Sequence, residues 1–302
     1  MREVLIIGGG VIGLTTAVVL AEDGAQVRLW SRDAAADTTS AVAGGLCWPY
    51  RIEPAEQAVD WSLRSFAAFA ALAGDPALTG VRRVAGRMDS GWAPEAWTAL
   101  TGSPPVTPLV DMPTYLRYLR QRLEKAGGRY EERAARSLRE AAGEAPVIVN
   151  CTGLGARELV PDPAVRPVRG QVVIVDNPGI EEWYVAAGPS SAHPVYLLPQ
   201  PYGLILGGTA EDGATDLVPA PATAEAIIAR CVRVHPALAD AAVLEHRVGL
   251  RPYRPAVRLE TETLPDGGVC VHHYGHGGAG ITVSWACAED AARLVRTASP
   301  GA

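Results

Sequence analysis

The sequence predicts an α/β fold in two interleaved parts. One is built on parallel strands with crossover helices, the other is α+β on a mixed, largely antiparallel sheet. Three observations carry this. The chain opens with Val4-Leu5-Ile6-Ile7, a short apolar run that reads as a buried parallel strand, then glycines, then Val11 to Ala17 opening a helix. Gln26-Val27-Arg28-Leu29-Trp30 follows as the second strand of a βαβ unit. Farther on, Gln171 to Asp176, Val195 to Leu198 and Leu204 to Gly208 read as strands with Pro and Gly at the turns, the mark of a more antiparallel region.

The first turn is the most informative stretch. Gly8, Gly10 and Gly13 give G-x-G-x-x-G between strand and helix. Gly8 permits the tight turn, Gly10 lets the backbone approach a pyrophosphate, and Gly13 lets helix and strand pack closely. The N–H groups of the first turn, with Val11 and Ile12 in it, then face an anion with the helix dipole behind them. This part is therefore Rossmann-like and binds a dinucleotide. The second strand ends in Ser31-Arg32-Asp33, so the acid expected for a ribose hydroxyl pair is one or two places late. Asp33 can still serve and Arg32 can meet a phosphate, and the displacement favours FAD over NAD.

Thr38-Thr39-Ser40-Ala41-Val42-Ala43-Gly44-Gly45-Leu46 continues into Cys47-Trp48-Pro49-Tyr50. Hydroxyls and small residues at this density suit a loop pressed on a phosphate-bearing ligand. Residues 56–73 have helical spacing and Val81 to Met88 reads as a strand. Asp111 caps a helix with Pro113 in its first turn and Met112, Leu116, Leu119 and Leu123 on one face, ending at Gly127-Gly128. Pro146 to Asn150 is a buried strand leading to Gly153, a junction where a second piece of nucleotide can rest. Pro221 to Val234 is helical, and Ala286 to Val295 is the last helix. Between them, strands alternate with turns up to a glycine loop spanning Val271 to Thr282. Gly277, Gly278, Ala279, Gly280, Ile281 and Thr282 there expose backbone N–H groups, suited to a flavin pyrimidine carbonyl where negative charge develops on reduction. His272, His273 and His276 fit no closed zinc pattern with Cys or acid partners, so no metal is expected.

Composition excludes other classes. The 302 residues are 48% hydrophobic and 20% charged, enough for a substantial core. A net charge of −6 leaves no basic stripe for nucleic acid. No run is long and apolar enough to cross a bilayer, and the Val4–Ile7 run is too short for a secretory leader. The last residues, Ser299-Pro300-Gly301-Ala302, carry no peroxisomal tripeptide address. Five cysteines without a CxxC read as buried free thiols. A cytoplasmic chain is expected.

In these motifs the chain resembles the D-amino-acid oxidase family. The match runs in order through Val4–Thr16, Thr38–Leu46 with Pro49-Tyr50, Asp60-Trp61-Ser62, Val147–Gly153, Arg169-Gly170-Gln171, Tyr196-Leu197-Leu198-Pro199 and Gly207-Gly208. It closes with Val248-Gly249-Leu250-Arg251-Pro252, Arg254-Pro255, Arg258-Leu259-Glu260, His272–Thr282 and Trp285. The resemblance implies non-covalent FAD on residues 1–78, 135–167 and 248–302, with 79–134 and 168–247 as a substrate or cap domain. It implies hydride transfer from a D-amino acid Cα–H to flavin N5, hydrolysis of the imino acid to a 2-oxo acid and ammonia, and reduction of O2 to H2O2. Neutral or apolar D-amino acids are the expected substrates. By the resemblance Arg251 binds the substrate carboxylate, as a guanidinium fork does bidentately. Tyr196 shares that carboxylate, the Gly278 carbonyl accepts from the amine, Tyr50 lines the substrate side, and Thr282 contacts the flavin near O2. Homodimers are common in the family, although no surface patch argues for one here.

The departures bear on specificity. Ala192 stands where vertebrate members carry a lid tyrosine, and Gly188–His193 is short, so the lid is reduced or absent. Trp48 replaces a polar residue, Ala279 a tyrosine and Ala286 a glycine. The alternatives are oxidation of glycine, sarcosine or another secondary amine, or of D-aspartate, which needs a further cation. From other classes come an FAD-binding protein without turnover and an NAD(P)H reductase. The last lacks a second GxGxxG.

Overall fold

The computed structural model describes residues 2–89, 95–188, 191–265 and 267–298. Its strands are β1 (Glu3–Ile7), β2 (Gln26–Ser31), β3 (Val81–Met88), β4 (Val106–Val110), β5 (Arg129–Glu132), β6 (Val147–Asn150) and β7 (Arg166–Val175). They continue as β8 (Trp183–Ala186), β9 (Val195–Gln200), β10 (Gly203–Gly207), β11 (Glu211–Asp212), β12 (Val243–Thr263) and β13 (Val269–His276). Five long helices accompany them: α1 (Val11–Glu22), α2 (Ala55–Leu72), α3 (Met112–Lys125), α4 (Pro221–Val234) and α5 (Gly280–Thr297). One sheet holds all the strands, in the order β4-β3-β8-β9-β10-β7-β12-β13-β6-β1-β2-β5, with β11 on β7.

The end from β13 to β5 is parallel. Its central strands β13, β6 and β1 are buried on both faces, as the unbroken apolar run of β1 requires, while β5 at the edge is partly exposed. Val4 and Ile6 pack with Leu14, Val18 and Trp285 from α1 and α5, while Leu5 and Ile7 pack on the other face with Trp30 and Ala141. The other half is mostly antiparallel, and α4 covers one face of it. Val173, Val175, Leu197, Leu204 and Leu206 meet Ile227 and Cys231 there. By the two-residue period of a strand, Val172, Ile174, Leu198 and Ile205 point to the opposite face. That face carries the site.

Several boundaries differ from the sequence reading. The stretch from Val271 to His276 is strand, not loop, because its residues are fully buried between β6 and β12. Only three residues remain before α5, which starts at Gly280 and not Ala286. The strand, turn and strand expected before it are β12, a turn and β13, and the register of β12 on β13 shifts between Tyr253 and Arg258. Helix α3 and β5, assigned to the cap span 79–134, instead serve the parallel half. The first packs Leu116, Leu119 and Leu123 in the α1 core, and the second pairs with β2. The five cysteines are buried and unpaired. Among the described residues no helix is long and apolar enough to cross a membrane. Pro189 and Ser190, in the expected lid segment, and Ser299 to Ala302 lie outside the described residues.

Candidate active site

The first glycine turn has the geometry its spacing requires. Gly8 sits at φ +115°, where a Cβ would lie 2.4 Å from the Cys151 carbonyl oxygen. A Cβ on Gly13 would lie 1.8 Å from the Gly8 carbonyl oxygen, so helix and turn touch through hydrogen alone. The N-cap is Gly10. One first-turn donor is not free, since the Val11 N–H is bonded by Ser40 Oγ at 3.0 Å. The next two N–H groups, of Ile12 and Gly13, have no carbonyl to reach within the helix. The site reading missed Ser40, although it lies in the hydroxyl-rich run.

This turn opens into a cavity of about 1090 Å³. That is at the upper end of, or beyond, the roughly 300–1,000 Å³ of ordinary ligand pockets. Gly8, Gly10, Val11 and Ile12 line it, with Arg32, Asp33, Thr38, Thr39, Ala43, Gly44, Gly45, Leu46 and Gly153. At its other end are Tyr50, Tyr196, Arg251, Gly277, Gly278, Gly280 and Ile281. An extended dinucleotide fits this shape, with glycine cradles at two places along it.

Three expected contacts are not on the wall. Gly13 is behind the turn it makes possible. Ala279 is fully buried, and its N–H donates to the His276 carbonyl at 3.1 Å. Thr282 is 1% exposed, and its hydroxyl is already engaged: it donates to the Trp48 carbonyl and accepts from the Trp48 N–H, both at 2.9 Å. Thr282 thus ties the Trp48 loop to α5. Arg32 and Asp33 do reach the cavity, but they pair with each other, Arg32 Nη2 donating to Asp33 Oδ2 at 2.9 Å. Arg133 and Arg136, which sequence reasoning passed over, line the cavity too.

The polar end rests on two glycines whose purpose no local pattern displays. Gly207 on β10 pairs with Tyr196 on β9, and a Cβ there would fall 1.8 Å from the ring carbon Cζ and 2.4 Å from the hydroxyl oxygen. Gly170 on β7 lies under Arg251 of β12, where a Cβ would fall 2.3 Å from Nη1 and 2.5 Å from Nη2. With β10 and β7 adjacent, the tyrosine lies over one glycine and the guanidinium over the other. The two polar ends therefore meet above neighbouring strands. Arg251 Nη1 donates to the Thr209 carbonyl at 3.1 Å, which fixes the fork. Burial pushes the Tyr196 phenol above its usual range, with Arg251 opposing it in part. The phenol is accordingly a neutral donor at physiological pH.

The shell behind β7 is closed. Arg169, 4% exposed, donates to the carbonyls of Asp216 and Val218 and to Glu211 and Gln171. Gln171 exchanges two bonds of 2.9 Å with the Ala220 backbone. These contacts hold the 216–220 segment on the strand that carries Gly170. Around Tyr196 the wall is apolar, from Trp48, Val172, Val185, Ala187 and Leu198. Arg51 is close by but does not line the cavity; it donates to the Ser191 carbonyl at 3.2 Å and pairs with Asp212 at 3.6 Å.

A parallel end with a glycine turn, a mixed half covered on one face, and a long cavity between two cradles are features shared with known proteins. The family described as FAD dependent oxidoreductase matches residues 3–101 and 105–294. The chain belongs to this family. The resemblance read from its motifs is thereby borne out, and FAD is its cofactor. The chain is 56% identical to a D-amino-acid oxidase of Streptomyces coelicolor, over 97% of this chain and 96% of that protein. It is 46% identical to one of Rubrobacter xylanophilus, over 99% and 97%, and 34% identical to a human D-aspartate oxidase, over 97% and 94%. Among solved structures, the L-proline dehydrogenase of P. horikoshii superimposes with a TM-score of 0.78 at 16% identity, covering 99% of this chain and 94% of that one. A glycine oxidase of Bacillus cereus does so with 0.76 at 18%, covering 99% and 96%. At these identities the two structures share the fold alone.

Proposed function

We propose that this chain is an FAD-dependent D-amino-acid oxidase acting on neutral or apolar D-amino acids. The observation that carries the reading is the Tyr196–Arg251 pair over Gly207 and Gly170, set in an apolar wall and opening onto the dinucleotide cavity. Bound FAD supplies the hydride acceptor, and O2, reduced to H2O2, restores it. In this reading Arg251 takes the substrate carboxylate bidentately, and the protonated Tyr196 hydroxyl donates a further bond to it. The Gly278 carbonyl accepts from the amine, which fixes the third direction at Cα and so the face from which its hydrogen leaves. Tyr50, Trp48 and Leu198 enclose the side chain and exclude water. The imino acid product hydrolyses to a 2-oxo acid and ammonia.

The wall supports a neutral substrate. A D-aspartate side chain would need a second cation, and Arg51, the arginine next to Tyr50, is held by Asp212 and Ser191 outside the cavity wall. The remaining wall residues of both cradles, Gly8, Gly10, Val11, Ile12, Arg32, Asp33, Thr38, Thr39, Ala43, Gly44, Gly45, Leu46, Gly153, Gly277, Gly280 and Ile281, hold the cofactor in the same reading. So does a division into a cofactor part and a cap part. A cytoplasmic location and a homodimer complete it, and light scattering of the purified protein tests the dimer.

The decisive experiment is anaerobic. Purified yellow protein is mixed with D- and L-amino acids, glycine and sarcosine, and flavin bleaching is followed. Bleaching by apolar D-amino acids and not by their L forms is expected. No bleaching by any D-amino acid would sink the proposal.

A further inference from the structure

A second cluster of chemistry-bearing side chains lies behind the Gly277–Ala279 cradle. His273 and His276 of β13 and Cys287 of α5 bring one ligand atom each to within 4.8 Å of one another, and all three are buried. Residues three apart on a strand normally face opposite ways. Here Gly275, at φ +90°, breaks the alternation, and the two imidazoles stand with centroids 4.9 Å apart. The linear spacing of the histidines hid this grouping, because Cys287 joins it from the next element.

The state of the two rings points to a ligand. Among the described residues, Nε2 of His273 and Nε2 of His276 are both buried without a hydrogen-bond partner, whereas the neighbouring His272 has both nitrogens engaged, by Asn150 and Glu262. Burial lowers the pKa of both orphaned imidazoles, so they are neutral. At His273 one nitrogen is held by its neighbours: Nδ1 lies 3.2 Å from the Thr16 hydroxyl and 3.9 Å from Cys151 Sγ. Nε2 is the nitrogen left free. A histidine held through one nitrogen with the other free is the arrangement that orients a metal ligand. Two uncompensated buried nitrogens are costly to leave, and an ion satisfies both.

We propose that His273, His276 and Cys287 bind one Zn2+ ion. The donor set, two imidazoles and one thiol, is that of a borderline-soft cation, with bonds of about 2.0–2.1 Å to nitrogen and 2.3 Å to sulfur. Tetrahedral bonds of that length hold ligand atoms roughly 3.3–3.6 Å apart, so the cluster contracts by about 1 Å on binding. Coordination converts the thiol to a thiolate, and its proton leaves to solvent. His273 and His276 also border the large cavity. Bound there, the ion ties the residue before the cradle, His276, to the helix after it. It is a brace for the cradle and does not rest on the substrate reading.

The test uses the flavin-loaded protein. It is equilibrated with Zn2+, exchanged into metal-free buffer and analysed for zinc and flavin together, and its zinc-edge X-ray absorption is recorded. About one zinc per chain with one sulfur near 2.3 Å and nitrogen near 2.0 Å is the expected result. Cys287→Ser and His273→Asn should each remove that zinc, and Thr16→Val should weaken its binding by about 10–100-fold through loss of the orienting hydroxyl. The flavin-to-protein ratio shows which variants are folded. Wild-type protein without zinc, or zinc without a sulfur ligand, or zinc retained equally by Cys287→Ser, would each overturn the proposal.

Discussion

Replacing Gly170 by alanine perturbs the proposed carboxylate site while leaving every polar group in place. The new Cβ would lie 2.3 Å from Arg251 Nη1, 2.5 Å from Nη2 and 2.6 Å from Cζ, where ordinary contact begins at 3.4 Å. The guanidinium must therefore retreat by about 1 Å (3.4 minus 2.3), and its 3.1 Å bond to the Thr209 carbonyl is strained or lost. The obstacle is the far end of a flexible side chain and Gly170 has ordinary strand backbone, so the fold accommodates the change. Alanine in a strand also relieves the entropic cost of glycine, about 0.5–1 kcal/mol. Stability should stay level or rise slightly while function falls. A 1 Å misplacement of a positioning group costs on the order of 100-fold, or about 2.7 kcal/mol of transition-state binding. The assay is kcat/KM for an apolar D-amino acid by peroxide production, beside a thermal melt and the flavin content. A variant with normal Tm and kcat/KM within about threefold of the parent would refute the reasoning, because the retreat of Arg251 would have cost almost nothing.

Arg251→Ala should cost about 3–5 kcal/mol in kcat/KM, since a substrate carboxylate is left without its cation in an apolar wall. Arg251→Lys should recover only part, a point charge lacking the fork; steady-state kinetics on both variants checks this. Tyr196→Phe removes one hydroxyl bond and should lose only about 0.5–1.5 kcal/mol by the same assay. Gly207→Ala should behave unlike Gly170→Ala, because the Cβ meets a rigid ring 1.8 Å away. Overpacking of this kind costs about 1–3 kcal/mol, so calorimetry should show a lowered Tm. Glu140 is held at about 2 by hydrogen bonds from Arg136 and then Arg133. Its folded pKa is depressed, so its contribution is present above the ordinary glutamate pKa and fades as pH falls toward 2. Glu140→Gln should lower Tm at pH 7, and the difference from the parent should close in melts near pH 2.

What the sequence disclosed is local in origin. Gly8 and Gly13 act within six residues of each other, so spacing alone exposed them. The Asp111 carboxylate accepts from the Thr114 N–H at 3.3 Å, three residues on, and α4 starts and stops where Pro221 and Val234 set it. What stayed hidden is settled across the sheet. The sequence shows no role for Gly170 and Gly207 until Arg251 and Tyr196 are laid over them. The strand of Val271 to His276 was masked by glycine and three histidines, residues with little strand preference, and burial between two partner strands overrode that. Pro252 and Pro255 likewise signal breaks in β12. Pro255 falls where its register on β13 shifts, a place in a sheet where proline is tolerated, and Pro252 lies just before it, opposite Pro167 of β7.

That shift has a consequence for how the two ends of the cavity are held together. Strand β12 pairs with β7 from Val243 to Tyr253 and with β13 from Tyr253 to Thr263, so it belongs to both halves of the sheet. Arg251 sits two residues before the change of partner, over Gly170, and β13 ends in the second glycine cradle. The separation between the cation and that cradle is thus set by one continuous strand and its hydrogen-bond register, without an intervening hinge. A hinged cap could vary that separation between turnovers; this arrangement fixes it. On the proposed function, the cation that orients a substrate and the backbone that receives the cofactor are then pre-positioned relative to each other before either ligand arrives, as proximity catalysis requires.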